Sequence, residues 1–299
     1  MSLAETPPQV APGVGVDAEE RARARAKRLE TVAKWTLPPL VMALVVVLWH
    51  LRVSCDPNLL CWLLGSEPVP HYIVPGPGRV ADVLVGDFAL LMRGMEVTAR
   101  ISLLALFFAV IGGVGLAILF SLSKWIEMPF FPYAVILQVT PVVAIAPLIK
   151  IAVDDAFTAA LIAAWIVAFF PILSNTTMGL KSVDHNLRDL YRIYGATRWQ
   201  RLRYLEIPSA LPYFLTGLRI GGTLSLIGAV VAEFVIGTSG TGLGLASMIQ
   251  EAGYRLNIPR MFAALVIIAA LGIVIFAALS LVSHLLLRKW HESAVSRET

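Results

Sequence analysis

Six runs of predominantly apolar residues divide the chain, and their length limits what it can fold into. They lie at about Trp35–Leu51, Val97–Leu122, Pro129–Val153, Ala156–Leu180, Ala210–Ile236 and Pro259–Leu287. Each is near the ~20 residues that a helix needs to cross the hydrocarbon of a bilayer. The whole chain is 58% hydrophobic over 299 residues, with a mean hydropathy of +0.77. So much apolar surface cannot be hidden inside a soluble domain of this length, so part of the solvent is lipid. The expected fold class is all-α: a polytopic membrane protein of about six transmembrane helices. Gly112, Gly113 and Gly115 permit close helix contact in the second span. Pro132, Pro141 and Pro147 break the third, and Pro171 lies inside the fourth.

One polar stretch, Lys181 to Pro208, interrupts this pattern and carries six basic residues. Leu187, Leu190, Tyr191 and Tyr194 fall at helical spacing and share a face. Gly195 can stop that helix, because glycine tolerates the left-handed turn at a helix C-terminus. Thr197 can start a second helix, with Gln200 three residues on completing a capping box. Trp199, Leu202 and Leu205 line this second helix, and Pro208 is expected to end it. The prediction is two short helices at an angle, showing water an aromatic and basic face suited to docking.

The distribution of charge orients the chain. Bases gather in the N-terminal tail (Arg21, Arg23, Arg25, Lys27, Arg28, Lys34), in the loop of 181 to 203, and at Arg288 and Lys289, whereas the turn at Asp154-Asp155 has none. By the positive-inside rule both termini and the polar loop are cytoplasmic. Residues 1–18 read as a disordered tail. Residues 19–34 read as a basic helix, either lying on the inner leaflet or solvated and fixing topology only. The membrane domain covers 35–290, and 291–299 form a cytoplasmic tail. Arg79 to Met95 is expected to be an interfacial helix, and no cleavable signal peptide is expected. The net charge of +4 is mild, and the bases adjoin apolar spans, so nucleic-acid binding is a poor reading.

The spacing of the polar loop resembles the cytoplasmic "EAA" loop of ABC importer permeases. The positions are Asp189-Leu190-Tyr191, then Gly195, then the pair Ile207-Pro208. Leu190 and Tyr191 stand where that motif has two alanines, and Asp189 stands where it has glutamate. The flanks GATRWQRLRYLEIPSALPYFLTGLRI and LIGAVVAEFVIGTSGTGLG, and the turn Val74 to Gly78, are similar to the nitrate/sulfonate/taurine/bicarbonate-type branch, the inner-membrane components of binding-protein-dependent transport. The resemblance covers roughly residues 70 to 290.

That resemblance implies a type I importer permease fold in the bacterial inner membrane. It implies a second permease copy, most simply a homodimer, a cytoplasmic ABC ATPase dimer, and a periplasmic or lipid-anchored solute-binding protein. Under it Asp189, Leu190, Tyr191, Gly195, Thr197, Arg198, Trp199 and Pro208 form the ATPase-coupling loop. ATP would be bound by the partner, because no G-x4-GK[ST] loop occurs here; the chain itself is read as no enzyme and as needing no cofactor. The solute would be a small anion such as nitrate, bicarbonate, taurine or a sulfonate, or a thiamine- or riboflavin-related precursor. In permeases of this type the third and fifth spans face the pathway, which makes Thr140, Pro141 and Ser225 candidate lining residues, the other reading of Thr140-Pro141 being an ordinary kink.

Other polar residues carry two readings each. Glu233, near the outer end of the fifth span, is either a gate residue or an acid capped by the amides of the turn Gly237 to Gly244. An acid in hydrocarbon costs about 2–3 kcal/mol on insertion scales, so it faces protein or water. Arg219 either attracts an anion into the pathway or snorkels to the interface. Gly217 and Gly221 form a G-x-x-x-G step for tight packing, within the subunit or across a dimer. Cys55 and Cys61 lie in an external segment and are either a disulfide or two free thiols. The five histidines are scattered, with no paired ligand, so no metal site is expected. A self-contained secondary carrier is the competing function; it would need intramembrane acids and an inverted repeat, and only Glu233 is seen. A membrane enzyme would need a catalytic constellation, and none is found.

Overall fold

A computed structural model describes residues 30, 32–33, 36–51, 74–236 and 244–291. Cys55, Cys61, the two tails, most of the basic segment 19–34 and the turn from Gly237 lie outside these described residues, as do the readings placed on them. The chain divides into two compact units, Met1–Pro77 and Gly78–Thr299. In the first, an apolar helix α1 covers Thr36–Leu51.

The second unit is built from helices. These are α2 (Pro77–Gly86), α3 (Phe88–Leu122), α4 (Lys124–Val139), α5 (Val142–Val153), α6 (Ala156–Lys181), α7 (His185–Ile193), α8 (Arg198–Arg201), α9 (Ile207–Ile236), α10 (Leu245–Tyr254) and α11 (Ile258–His291). A π-turn over Leu202–Glu206 joins α8 to α9, so one helical rod runs unbroken from Arg198 to Ile236.

Among the described residues four rods are long and apolar enough to cross a membrane: Phe88–Leu122, Ala156–Lys181, Arg198–Ile236 and Ile258–Arg288. The expected count of six is not reproduced. The third expected span is two helices, α4 and α5, bent by 103°, and the first is only the sixteen-residue α1 over Thr36–Leu51. The residues on either side of it, 34–35 and 52–73, lie outside the described residues. Arg79 to Met95 is not one interfacial helix either. The chain bends at Asp87 (φ −98°, ψ 16°), and α3 begins at Phe88, inside the stretch assigned to that helix.

The bend between α4 and α5 has a local cause. A residue before proline is pushed out of the helical region, and Thr140 takes φ −71°, ψ 123°. Pro141 follows at φ −68°, ψ 113°. Two successive extended residues turn the chain, so this is no ordinary kink. The Thr140 hydroxyl donates to the Ile136 carbonyl at 2.7 Å, satisfying an acceptor at the helix end. Pro132 and Pro147 lie inside α4 and α5 without ending them.

α6 is the centre of the bundle: 56% of its apolar window is buried, against 11% for the peripheral α11. It packs most extensively on α9 and α3. Toward the polar loop the core is bulky, with Phe120, Phe169, Ile172, Leu173, Leu180 and Leu202. Toward the other end it is alanine-rich, with Ala159, Ala160, Ala163 and Ala164 of α6 against Ala229 and Ala232 of α9. Small residues let the backbones close up there. The G-x-x-x-G step serves the same contact inside this chain: a β-carbon on Gly217 would lie 2.8 Å from Asn175 Cβ, and one on Gly221 2.9 Å from Ile172 Cγ1.

Candidate functional site: the polar elbow and its anchorage

The polar stretch folds as an elbow. Asp184 caps α7, accepting the Asn186 N–H at 2.7 Å. At the other end Gly195 adopts φ +69°. Its N–H donates to the Arg192 carbonyl at 3.0 Å, and the Ala196 N–H to the Tyr191 carbonyl at 2.9 Å. These two bonds make a complete Schellman closure, which needs a left-handed residue at that point. α8 then starts at the expected capping box. The Gln200 N–H donates to Thr197 Oγ1 at 3.3 Å, and the Thr197 N–H to Gln200 Oε1 at 2.8 Å. Both ends of the elbow are therefore set by its own residues.

Pro208 does not end the second helix. It is the second residue of α9, on the continuing rod. A proline ring inside a helix clashes with the carbonyl four residues earlier and leaves it without a donor. Here that carbonyl belongs to Tyr204, within the π-turn, where the chain widens. The Ile207 N–H bonds five residues back, to Leu202 O. The helix absorbs the proline by swelling instead of stopping.

The elbow shows large apolar side chains to solvent. Leu187, Leu190, Ile193, Tyr194, Trp199 and Tyr204 are all exposed, Ile193 and Tyr194 by more than 80%. Asp189 and Arg198 are exposed beside them, and Tyr191 is half-buried. The second helix splits its apolar residues: Trp199 points out, whereas Leu202 and Leu205 are buried.

The inner side of the elbow is fastened to the end of α3. Arg198 Nη1 donates to the Leu122 carbonyl at 3.1 Å. Ser121 Oγ donates to Glu206 Oε2 at 2.6 Å, and Arg201 Nε to Glu206 Oε1 at 3.0 Å. Glu206 is only 4% exposed. Nearby, Lys181 at the end of α6 pairs with Glu127 in the first turn of α4. Neither Glu206 nor Ser121 stood out in the sequence; the available signal was one acid in a run of bases, next to Ile207-Pro208.

The candidate pathway residues are not gathered at one place. Glu233 is buried near the far end of α9, and Glu233 Oε2 accepts the Ala246 N–H at 3.0 Å. Ser247 Oγ donates to the Glu233 backbone carbonyl at 3.4 Å. Thr98 Oγ1 accepts the Leu245 N–H at 2.9 Å and lies against the same carboxylate. Glu233 thus caps α10, using amides just beyond the turn to which the sequence pointed. Arg219 lies fourteen residues earlier on the same rod, about 21 Å along the axis. Its Nε is buried with no hydrogen-bond partner among the described residues. Ser225 is 1% exposed, and its hydroxyl turns back to the Gly222 carbonyl at 2.8 Å. Thr140 and Pro141 form the bend. Among the described residues no group of three or more His, Cys, Asp or Glu could hold a metal ion. Asp154 and Asp155 make a turn rather than a catalytic pair: Asp154 is left-handed at φ 59°, and Asp155 caps α6 through the Thr158 N–H at 2.7 Å.

Known proteins are similar to this chain in sequence and in fold. A riboflavin transport system permease of Chloroflexus aurantiacus is 37% identical over 170 residues, 57% of this chain and 62% of that protein. A formylaminopyrimidine transport permease of Halalkalibacterium halodurans is 31% identical over 251 residues, 84% of this chain and 94% of that protein. Permeases named for nitrate, aliphatic sulfonates and taurine also match. In three dimensions the chain is similar to a subunit of an inward-facing methionine ABC transporter, with a TM-score of 0.57 at 21% identity, over 66% of this chain and 96% of that one. Residues 109–289, which contain both the elbow and the Glu233 cap, match the family described as the binding-protein-dependent transport system inner membrane component, and the chain belongs to that family.

Proposed function

We propose that two copies of this chain form the translocation pathway of an ATP-driven importer in the bacterial cytoplasmic membrane. ATP hydrolysis belongs to a separate cytoplasmic ATPase dimer, and solute is delivered by an external binding protein. The observation that carries this reading is the elbow: six large apolar side chains exposed on a polar loop whose shape its own caps fix. Exposed apolar patches rimmed by charge mark interaction sites. A rigid elbow can be pushed as a unit when the ATPases close, tilting α6 and α9, so the pathway alternates between its two openings. The basic residues of the elbow and tails support a cytoplasmic side for the termini and the elbow. Lipid covers exposed apolar faces such as Leu265, Ile273, Val274 and Phe276 of α11.

Arg219, whose Nε has no hydrogen-bond partner among the described residues, is the pathway residue best suited to meet an anionic group of the solute. Thr140 and Pro141, at the bend between α4 and α5, are read as lining the pathway. Ser225 and Glu233 serve packing and capping. The relatives named for riboflavin and formylaminopyrimidine support a heterocyclic vitamin precursor as solute, ahead of a simple inorganic anion.

Reconstitution in liposomes tests this. Uptake must require the ATPase, ATP and the binding protein together. Uptake by the chain alone, driven by an ion gradient, would replace the reading with a secondary carrier. A thermal-shift screen of the binding protein against flavins, pyrimidines, nitrate and taurine identifies the solute.

A further inference from the structure

The anchorage of the elbow has an unusual construction. Both carboxylate oxygens of buried Glu206 are engaged, one by Ser121 in the last turn of α3 and one by Arg201 of the elbow. The next residue of α3, Leu122, offers a carbonyl at the helix end, where no intrahelical donor remains, and Arg198 of the elbow takes it. Two successive residues of α3 are thus held by residues about two turns apart on the rod, Arg198 and Glu206.

The pair of Arg201 and Glu206 depends on the π-turn. In a regular α-helix, residues five apart lie about 140° round the axis and their side chains diverge. The wider turn over Leu202–Glu206, with its bond from Ile207 to Leu202, brings positions five apart into register. Pro208, which cannot sit in a tight ladder, favours that widening. The segment from Arg201 to Pro208 therefore makes a swollen joint and locks it with an ion pair between buried Glu206 and half-buried Arg201. Leu202 and Leu205 are buried on the same side as Glu206, whereas Arg203 and Tyr204 face out.

We propose that Glu206, with Ser121 and Arg201, is a positioning cluster that makes the elbow and the inner end of α3 move as one body during transport. A π-turn interrupts the regular i to i−4 ladder of a rod, so it is a natural place for the rod to flex. Left unlocked, the elbow swings about residues 202–206, and a push on its exposed face is absorbed there. Locked, the push reaches α9 along the rod and α3 through Ser121 and Leu122 together. Glu206 contacts no solute in this role; it acts through the helices it fixes. The inference rests on the elbow being the ATPase-docking element.

The experiment is the number of solute molecules imported per ATP hydrolysed, measured in liposomes holding the intact assembly. Ser121→Ala removes one bond to Glu206, Ser121→Thr restores the donor, and Glu206→Gln keeps one acceptor oxygen, puts a donating amide in place of the other and removes the charge. The expected result is a severalfold drop in the import-to-ATP ratio for Ser121→Ala and Glu206→Gln, with ATPase still co-purifying and hydrolysing, and recovery in Ser121→Thr. A ratio equal to wild type overturns the proposal, and so does a parallel fall of import and hydrolysis at constant ratio, which is what a merely structural role gives. If Glu206→Gln yields no assembly, Ser121→Ala alone decides on the same ratio. A wild-type chain that binds no ATPase would instead refute the function proposed above, a separate outcome seen before any variant is made.

Discussion

The carboxylate of Glu233 and the backbone of Gly244 lie so close that a β-carbon on residue 244 would sit 2.3 Å from the carboxyl carbon and from both its oxygens. The acid reaches the amide of Ala246 only because residue 244 has no side chain. Gly244→Ala is therefore expected to displace the carboxylate and free the start of α10. Glu233→Ala leaves the buried Ala246 N–H unpaired, a loss of about 1–3 kcal/mol. Glu233→Gln retains an acceptor oxygen and should lose less. Thermal unfolding of the purified protein in detergent checks the order: wild type, then Glu233→Gln, then Glu233→Ala and Gly244→Ala. Equal melting of all four would mean that the cap contributes nothing.

Gly195 offers a different kind of test, because nothing lies within 4 Å of where its β-carbon would be. Any cost of Gly195→Ala comes from φ +69° alone, on the order of 1–2 kcal/mol. Gly195→Pro is worse: proline fixes φ near −65° and removes the N–H that closes on the Arg192 carbonyl. We expect Gly195→Ala to keep partial uptake and Gly195→Pro to abolish it while the membrane helices remain folded. Wild-type uptake by the proline variant would rule out any need for the bent elbow.

Local chemistry was legible in the sequence, and long-range chemistry was not. Gly195 and the pair Thr197–Gln200 act on neighbours a few residues away, so spacing alone located the elbow's turn and the start of α8. The rod of Ala156–Lys181 was readable because twenty-odd apolar residues admit few alternatives. Pro208 misled because its usual effect is to stop a helix; the swelling over 202–206 that absorbs it comes with burial of Leu202, Leu205 and Glu206, which no local rule contains. The partners of Glu206 and Glu233 come from residues 85 and 135 positions away in Ser121 and Thr98. In the third apolar run Pro141 was legible as a break, because proline acts on the residue before it, but hydropathy over 129–153 carries no angle, and the bend of 103° appears only in the structure.

At the turn between α5 and α6 a pH effect follows from one carboxylate. The Thr158 hydroxyl and N–H hold the Asp155 carboxyl below its ordinary value. A depressed folded-state pKa means that its contribution is complete above the unfolded value, about 3.9, and is lost as pH falls through the folded one. Neutral and alkaline pH should leave the cap intact. Asp155→Asn should remove the acid-limb difference, so that melting of wild type and variant converges below about pH 4. Because the side chain is fully exposed, the separation at neutral pH should be small; a gap that widened in acid would contradict the assignment.

The contact between α6 and α9 is the last point open to a direct test. Asn175 Nδ2 donates to the Pro171 carbonyl at 2.8 Å, and a β-carbon on Gly217 would lie 2.8 Å from Asn175 Cβ and 2.9 Å from that carbonyl oxygen. Backbone cannot retreat as a flexible side chain can, so Gly217→Ala should cost about 1–3 kcal/mol. The partner is Asn175 of the same chain, so the loss should appear in the melting of an isolated protomer as well as of a dimer. Asn175→Ala does not relieve the clash, since its β-carbon remains, whereas Asn175→Gly should recover part of the loss in the double variant. If Gly217→Ala weakened only the association of two copies and left protomer melting unchanged, the glycine step would belong to the dimer interface and the packing of α6 on α9 would have to be redrawn.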